Sequence, residues 1–279
     1  MTREIEPITI SIDQPTSAKQ FRSLRPSEPV EDLTISFDRM FNVKMAREVS
    51  RWNSVRRIGL WCTATKAALR QLLCTPGLED IYVSMLHEHN SLKELHKSTS
   101  LKTFRGYALS SNDLCCIADL PSLRTLSAQN SNLSRAALEK LVGMEKLKNL
   151  DLEASSLDDE MASILASSRQ IVQLDVGATL IGRKGLQSIC EMSQLRELDI
   201  WALDIQEEDL NMLTALNHLE YLSVGGFDFQ TALTSKGVLP KLAQLPSLKR
   251  LWLDGIPVTR SEQTELEERY EFVQVTCVE

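Results

Sequence analysis

Three aspartates recur at a fixed interval in the C-terminal half of the sequence. Asp151, Asp175 and Asp199 lie 24 residues apart, each directly after a leucine. Carboxylates that stand side by side on neighbouring strands repel one another, and a basic partner would relieve that repulsion. The spacing therefore favours an acidic surface that binds cationic groups of a partner. The alternative is a row of exposed charges that solvent and salt screen, without a binding role.

The remaining residues that could do chemistry form no catalytic pattern. The sequence contains no GxxxxGK[ST], GxSxG, HExxH or strand-linked GxGxxG motif. A surface turn explains His87 and His89 more simply than a metal site does. The adjacent Cys115 and Cys116 have no histidine that the sequence places beside them, as a catalytic thiol would need. We therefore predict no enzyme activity, no catalytic residues, no metal site and no cofactor.

Composition narrows the function classes further. The chain of 279 residues has a net charge of -7, which disfavours a general nucleic-acid binder. We find neither an apolar stretch long enough to span a membrane nor an N-terminal secretion signal. The six cysteines include no CxxC pair, which is typical of reduced thiols. These features predict a cytoplasmic protein that binds neither membrane nor nucleic acid.

Charge is uneven along the chain. Residues 1–100 contain 14 basic and 12 acidic side chains, whereas residues 101–279 contain 17 basic and 26 acidic ones. An acidic C-terminal part of this kind would steer a basic partner towards it.

The aspartates belong to a repeat that runs through the sequence. The segments LRTLSAQNSNL, LKNLDLEASSL, IVQLDVGATLI, LRELDIWALDI and LEYLSVGGFDF begin 24 residues apart, at Leu123, Leu147, Ile171, Leu195 and Leu219. LKRLWLDGIPV follows at Leu248. Weaker copies begin at Ile5, Val30, Val55, Leu78 and Leu101, and a degenerate one lies near Tyr270. About twelve units of one kind therefore make up the chain.

Each unit has two halves with different hydrophobic periods. Apolar residues at the first, fourth and sixth positions alternate with polar ones, which predicts a strand. The second half has helical spacing, as in the stripe of Leu138, Leu141 and Met144. One strand and one short helix cannot bury their apolar faces alone, so stacked units must share a core.

The pattern LxxLxLxxxxL followed by a helical half resembles the leucine-rich-repeat family, in its intracellular form. The resemblance implies an α/β solenoid, a horseshoe with a parallel β-sheet on the concave face and short helices on the convex face. At the ninth position, where that family has a buried asparagine, this chain departs from it. A weaker hydrogen-bond ladder is therefore expected at the residues Ser131, Ser155, Thr179, Leu203, Phe227 and Ile256.

The repeats predict a single domain over residues 1–279. Irregular units occupy residues 1–122, regular 24-residue units occupy 123–247, and capping units occupy 248–279. The Ser- and Pro-rich segment 13–29 is predicted to be a loop that replaces the helix of the first unit.

Positions three, five and seven of each unit should point away from the core, and several carry aromatic or acidic side chains. Trp and Tyr dominate protein-binding hot spots. The predicted partner-binding residues are Trp61, Tyr82, Tyr107, Asp151, Glu153, Asp175, Glu197, Asp199, Trp201, Tyr221, Trp252 and Asp254. The alternative is that flanking loops cover the aromatic rings, in particular residues 227–238 over Trp252.

Two functions fit these observations. The first is a non-enzymatic protein-binding module that holds a basic protein on its concave face. Its sharpest form is an inhibitor or immunity-type antitoxin against a basic toxin or nuclease, by analogy with acidic leucine-rich inhibitors of ribonucleases. The second is an adaptor or substrate receptor that links a target protein to other machinery.

Overall fold

The structure is a computed structural model that describes residues 8–13, 17–23, 30–52, 54–87, 92, 95–227 and 231–278. The chain divides into two compact units, Met1–Ser127 and Ala128–Glu279. Strands and helices alternate in both units, which confirms the predicted α/β class. The division into one domain with three kinds of unit stays a prediction.

In the first unit the strands pair in parallel and in chain order. They are β1 (Ile8–Ile12), β2 (Val30–Ile35), β3 (Arg57–Thr65), β4 (Asp80–His87) and β5 (Thr103–Tyr107). The helices are α1 (Ala18–Ser23), α2 (Val43–Val49), α3 (Lys66–Leu73) and α4 (Ser111–Ile117), with a 3-10 turn at Leu95–Lys97. The next strand, β6 (Thr125–Gln129), includes the boundary between the units.

The second unit repeats the same arrangement with parallel strands in chain order. Its strands are β7 (Asn149–Asp151), β8 (Gln173–Asp175), β9 (Glu197–Asp199), β10 (Tyr221–Gly225), β11 (Arg250–Thr259) and β12 (Phe272–Val278). Its helices are α5 (Arg135–Val142), α6 (Asp159–Leu165), α7 (Arg183–Ile189), α8 (Ser235–Leu242) and α9 (Arg260–Arg269). A 3-10 helix at Glu207–Ala215 takes the place of an α-helix between β9 and β10.

The fourth position of each repeat builds the core. Leu150, Leu174, Leu198 and Leu222 are at most 3% exposed. The helical stripes face the same core, and Leu138 and the other predicted residues of its stripe are buried. The 3-10 helix buries Leu210 and Leu213 in the same way.

A left-handed residue ends the strand half of successive repeats. The eighth position has φ between 51° and 54° in five units, at Ala108, Asn130, Ala154, Ala178 and Ala202. This conformation brings the Cβ atom of an L-residue too close to the following carbonyl, at a cost of about 1–2 kcal/mol. The left-handed conformation occurs despite this cost because the chain has to turn out of the sheet at this position.

Hydroxyl groups rebuild part of the expected ladder at the ninth position. The buried Ser155 Oγ accepts a hydrogen bond from the Ser131 N–H (3.1 Å) and donates one to the Ala128 carbonyl (3.0 Å). Thr179 Oγ1 donates to the Val176 carbonyl (2.7 Å) within its own turn. The apolar Leu203 cannot take part. The ladder is therefore shorter than that of an asparagine repeat and is made by hydroxyls.

The prediction of a loop for segment 13–29 is wrong for its central part, where α1 forms. Ser17 and Gln20 close the helix start by reciprocal bonds between side chain and backbone, of 2.7 and 3.3 Å. Phe21 is fully buried and meets the ring of Phe41 edge-on, with ring centroids 6.0 Å apart. One buried phenylalanine thus anchors a helix that the Ser- and Pro-rich composition obscures.

Glycine substitution should change the stability in opposite directions at two exposed alanines, one in the left-handed turn and one in a helix. Ala154→Gly should stabilise the fold by about 0.5–1 kcal/mol, because glycine adopts positive φ without a Cβ clash. Ala136→Gly, the same change in the exposed surface of α5, should destabilise it by about 1 kcal/mol. Urea unfolding of both variants measures the difference. A loss of stability in Ala154→Gly would contradict the turn geometry.

The hydroxyl ladder can be tested at its centre. Ser155→Ala should lower the free energy of unfolding by about 1–3 kcal/mol, since it removes both buried hydrogen bonds of the Ser155 hydroxyl. Ser163→Ala is the matched control, because Ser163 is exposed and bonds only within its own helix. Equal stability of the two variants would show that the ladder contributes nothing.

Candidate functional site

Parallel pairing aligns the fifth positions of successive repeats into a row. Asp151 lies opposite Asp175, and Asp175 lies opposite Asp199. The row continues through Ser223 on β10 to Trp252 on β11. Neighbouring strands are about 4.8 Å apart, so three aspartates stand in line on the face opposite the leucine core.

Each aspartate also has a local structural role. Its Oδ1 accepts the backbone N–H two residues later, at 3.0 Å for Asp151, 2.9 Å for Asp175 and 2.8 Å for Asp199. This bond takes an N–H away from the sheet, and β7, β8 and β9 are only three residues long. Strands β6 and β10 have serine at this position and run for five residues. The aspartates therefore end their strands, which explains their presence independently of binding.

The row carries negative charge at an energetic cost. Burial, followed by the charges of Asp199 and Asp151, raises the pKa of Asp175 to about 8. Burial also raises the pKa values of Asp199 and Glu153. Among the described residues, no lysine, arginine or histidine forms an ion pair with Asp175 or Asp199.

An amide side chain joins two of the carboxylates. Gln129 Nε2 donates to Asp151 Oδ2 at 3.0 Å and to Glu153 Oε2 at 2.8 Å. Oxygens of Asp151, Glu153 and Asp175 lie within 4.8 Å of one another. This end of the row therefore concentrates acceptors that could share one cation.

A pocket of about 220 Å³ lies beside the row. Its lining is acidic and aromatic and consists of Glu153, Asp175, Gly177, Asp199, Trp201, Ser223, Trp252 and Asp254. Gly177 keeps it open, since an added Cβ would lie 3.3 Å from the Oδ1 atoms of both Asp175 and Asp199. Such a pocket can hold a cationic group between carboxylates and aromatic rings.

The two tryptophans of the pocket differ in exposure. Trp201 is half-buried, and its ring meets that of Phe227 with centroids 4.3 Å apart. Trp252 is 36% exposed. Phe227, a loop residue, thus packs against Trp201. The alternative expected from the sequence was that this loop covers Trp252. Residues 228–230 of that loop lie outside the described part.

The third positions of the same strands form a self-contained cluster. Arg250 donates to Glu197 Oε1 at 2.7 Å, and its Cζ lies 5.1 Å from the ring centroid of Tyr221. Glu197 and Tyr221 therefore already have a basic partner within this chain and are less available to another protein than the sequence suggested.

The remaining aromatic residues form a separate surface in the first unit. The rings of Trp61 and Tyr82 lie against each other at an interplanar angle of 36°, with centroids 4.4 Å apart, and Trp61 is 58% exposed. Tyr107 is exposed as well. The charges beside these rings are paired, in the ion pairs Asp32–Arg57 and Asp80–Arg105. This surface is aromatic and electrically compensated, in contrast to the acidic row.

The structure thus brings Glu153, Asp175, Asp199, Trp201, Trp252 and Asp254 to one pocket, with Asp151 next to it. Gly177 and Gln129 belong to the same site and were not predicted. Both lie at the seventh position of a repeat, which is expected to point away from the core. This position was the sequence signal that could have identified them.

Other side chains that could react are unreactive buried thiols or lie outside the pocket. Burial raises the pKa of Cys62 to about 11 and that of Cys190 to about 12, which keeps both thiols protonated at neutral pH. Cys62, Cys74 and Cys190 are free thiols. His89 lies outside the described residues. Among the helices of the described ranges, none is long and apolar enough to cross a membrane.

No protein-family model and no curated protein matches the sequence. Among solved structures, the chain is similar to the crystal structure of an internalin, InlF, from Listeria monocytogenes. The two share 18% sequence identity with a TM-score of 0.51, and the match covers 90% of this chain and 76% of the internalin. The likeness confirms the predicted fold, a parallel sheet alternating with helices in a leucine-rich-repeat arrangement.

The raised pKa of Asp175 predicts an unusual pH dependence of stability. The folded protein retains this proton up to about pH 8, whereas the unfolded chain releases it near pH 4, so stability should fall as pH rises between these values. Asp175→Asn removes the charge, and its amide oxygen can still accept the Gly177 N–H. Its stability gain over wild type should grow through this window to about 1–2 kcal/mol at pH 8.5, allowing for solvent screening.

Thermal unfolding between pH 5 and pH 9 measures this effect. Glu191→Gln is the matched control, because Glu191 is exposed and lies outside the row. A constant difference between Asp175→Asn and wild type at every pH would contradict the raised pKa.

Proposed function

We propose that this protein is a non-enzymatic binding module that holds a basic protein on the acidic row of its second unit. The observation that carries the proposal is the pair Asp175 and Asp199, which face the pocket without a cationic partner among the described residues. Burial and then the charges of Asp199 and Asp151 raise the pKa of Asp175, and cations of a partner would oppose both effects. The neighbouring Trp252 adds an exposed ring of the kind that dominates interface hot spots.

The partner class that we propose is a basic toxin or nuclease, which this protein would inhibit as an immunity-type antitoxin. An enzyme that acts on nucleic acid presents cations to a line of phosphates. A line of carboxylates about 4.8 Å apart offers such a surface negative charge in a comparable arrangement. The excess of acidic residues in 101–279 supports this choice, because it accelerates association with a basic protein.

We place this activity in the cytoplasm. The free thiols of Cys62, Cys74 and Cys190 support that location, because cysteines stay reduced there. Absence of catalytic machinery is also part of the proposal, and the high pKa values of Cys62 and Cys190 support it.

A charge-neutral double variant tests the binding surface. Asp175→Asn with Asp199→Asn removes both ionisable carboxyl groups and keeps both backbone hydrogen-bond acceptors. We expect affinity capture from the native host to retain a basic protein on wild type and to lose it on this variant. With the purified partner, the dissociation constant for wild type should rise with salt, and the double variant should weaken binding at least about tenfold.

Glu160→Gln with Glu191→Gln is the matched control, because it converts the same number of carboxyl groups to amides at exposed residues outside the pocket. It should bind as wild type does. The same set of proteins held equally by all three forms would contradict binding at the acidic row. Loss of the partner's enzymatic activity at equimolar complex would support the inhibitor form of the proposal.

One observation favours the second candidate, an adaptor. The adjacent rings of Trp61 and Tyr82 form an exposed surface in the other unit, and its charges are already paired. A different, less charged protein would suit it. If the protein is an adaptor, Trp61→Ala should release one captured protein while the acidic-row partner stays bound.

A further inference from the structure

The protein itself shows how a guanidinium group sits on this sheet. Glu197, Tyr221 and Arg250 occupy the third position of three successive strands. Arg250 lies over the tyrosine ring, 5.1 Å from its centroid, and reaches the carboxylate beyond it at 2.7 Å. A carboxylate, an aromatic ring and a guanidinium thus fit across three strands at this spacing.

The adjoining row has the carboxylate and the ring, and its guanidinium is missing among the described residues. At the fifth position the same strands carry Asp199, Ser223 and Trp252. Ser223 is small and buried, so no bulky side chain fills the space between Asp199 and Trp252. The pocket of about 220 Å³ lies at this place.

Other walls of the pocket suit a planar cation on a peptide. Asp175 supplies a second carboxylate next to Asp199, and Gly177 leaves both carboxylates uncovered. The indole N–H of Trp201 is buried and has no hydrogen-bond acceptor among the described residues. The backbone carbonyls of an entering peptide are acceptors of the kind this group lacks.

We propose that this pocket receives the side chain of one arginine of the partner protein, with its guanidinium held by Asp175 and Asp199 against the ring of Trp252. The inference rests on the proposed function and names the group that the acidic row recognises. A guanidinium is planar, carries five N–H donors and stacks on aromatic faces. It can therefore engage two carboxylates and a ring at once, whereas a lysine ammonium acts as a point charge.

Arginine entry is coupled to loss of a proton. Asp175 holds its proton up to about pH 8, and a cation beside it favours the ionised form. Binding should therefore weaken as pH falls from 9 to 6. The groups that face Asp175 are the carboxylates of Asp151, Glu153 and Asp199, the N–H of Gly177 and, at longer range, Tyr221.

The test uses N-acetyl-arginine methylamide as the probe and the indole N–H signals of the four tryptophans as the readout, in nuclear magnetic resonance spectra of the full chain. The probe should shift the Trp252 and Trp201 signals, with a dissociation constant on the order of millimolar. The citrulline analogue has the same shape without the charge and should cause no shift. The lysine analogue should bind at least about threefold more weakly.

Four variants test the location and the charge of the site. Gly177→Leu fills the pocket without changing charge and should abolish the shifts, whereas Gln173→Leu, which adds a leucine on the same strand outside the pocket lining, should keep them. Trp252→Ala removes an exposed ring and should weaken binding even if Gly177→Leu perturbs the fold. Asp175→Asn should abolish the pH dependence.

Equal shifts with the arginine and citrulline probes, or no shift with either, would overturn the inference. So would a shift of the Trp201 signal that Gly177→Leu and Trp252→Ala both leave unchanged, or a response to Ca²⁺ without one to the arginine probe. These outcomes are separable from the proposed function. If capture still depends on Asp175 and Asp199 but the arginine probe does not bind, the proposal of a basic partner is supported and the arginine pocket is contradicted.

Discussion

Parallel pairing in a constant register is the constraint on which the rest of this protein depends. Strands that begin at the same position of each repeat place equivalent residues opposite one another, about 4.8 Å apart. Leucines at the fourth position then merge into one core within each unit, and whatever stands at the fifth position forms a row. The register turns a local choice of residue into an extended surface.

Aligning the same residue on successive strands is destabilising where that residue is charged. Each aspartate of the row gains a backbone hydrogen bond that ends its strand, and a single such group would be unremarkable. Three in line repel one another, and at the central one, Asp175, burial together with the charges of its neighbours raises the pKa to about 8. The cost is tolerated in the second unit, while in the first unit arginines pair with Asp32 and Asp80. The two sheet faces consequently differ in chemistry although their backbones follow one plan.

The sequence predicted those features that depend on the repeat alone. Hydrophobic alternation located the strands, and the spacing of 24 residues located the aspartate row. Features that depend on side chains from different repeats were not predictable. Arg250 reaches Glu197 across 53 residues, because two intervening strand spacings match the length of its side chain. Phe227 covers Trp201 through a loop contact, and α1 rests on the single buried Phe21.

The register also makes the length of the acidic row a discrete quantity. A duplication or deletion of one 24-residue repeat among those that begin at Leu147, Ile171 and Leu195 would add or remove one aspartate and one strand spacing. The backbone hydrogen bonds on either side would be restored by the neighbouring copies, since every repeat presents the same edges. Changes in repeat number would therefore alter the span of the recognised surface in steps of about 4.8 Å. The size of the partner surface that is bound would thus follow from the number of repeats.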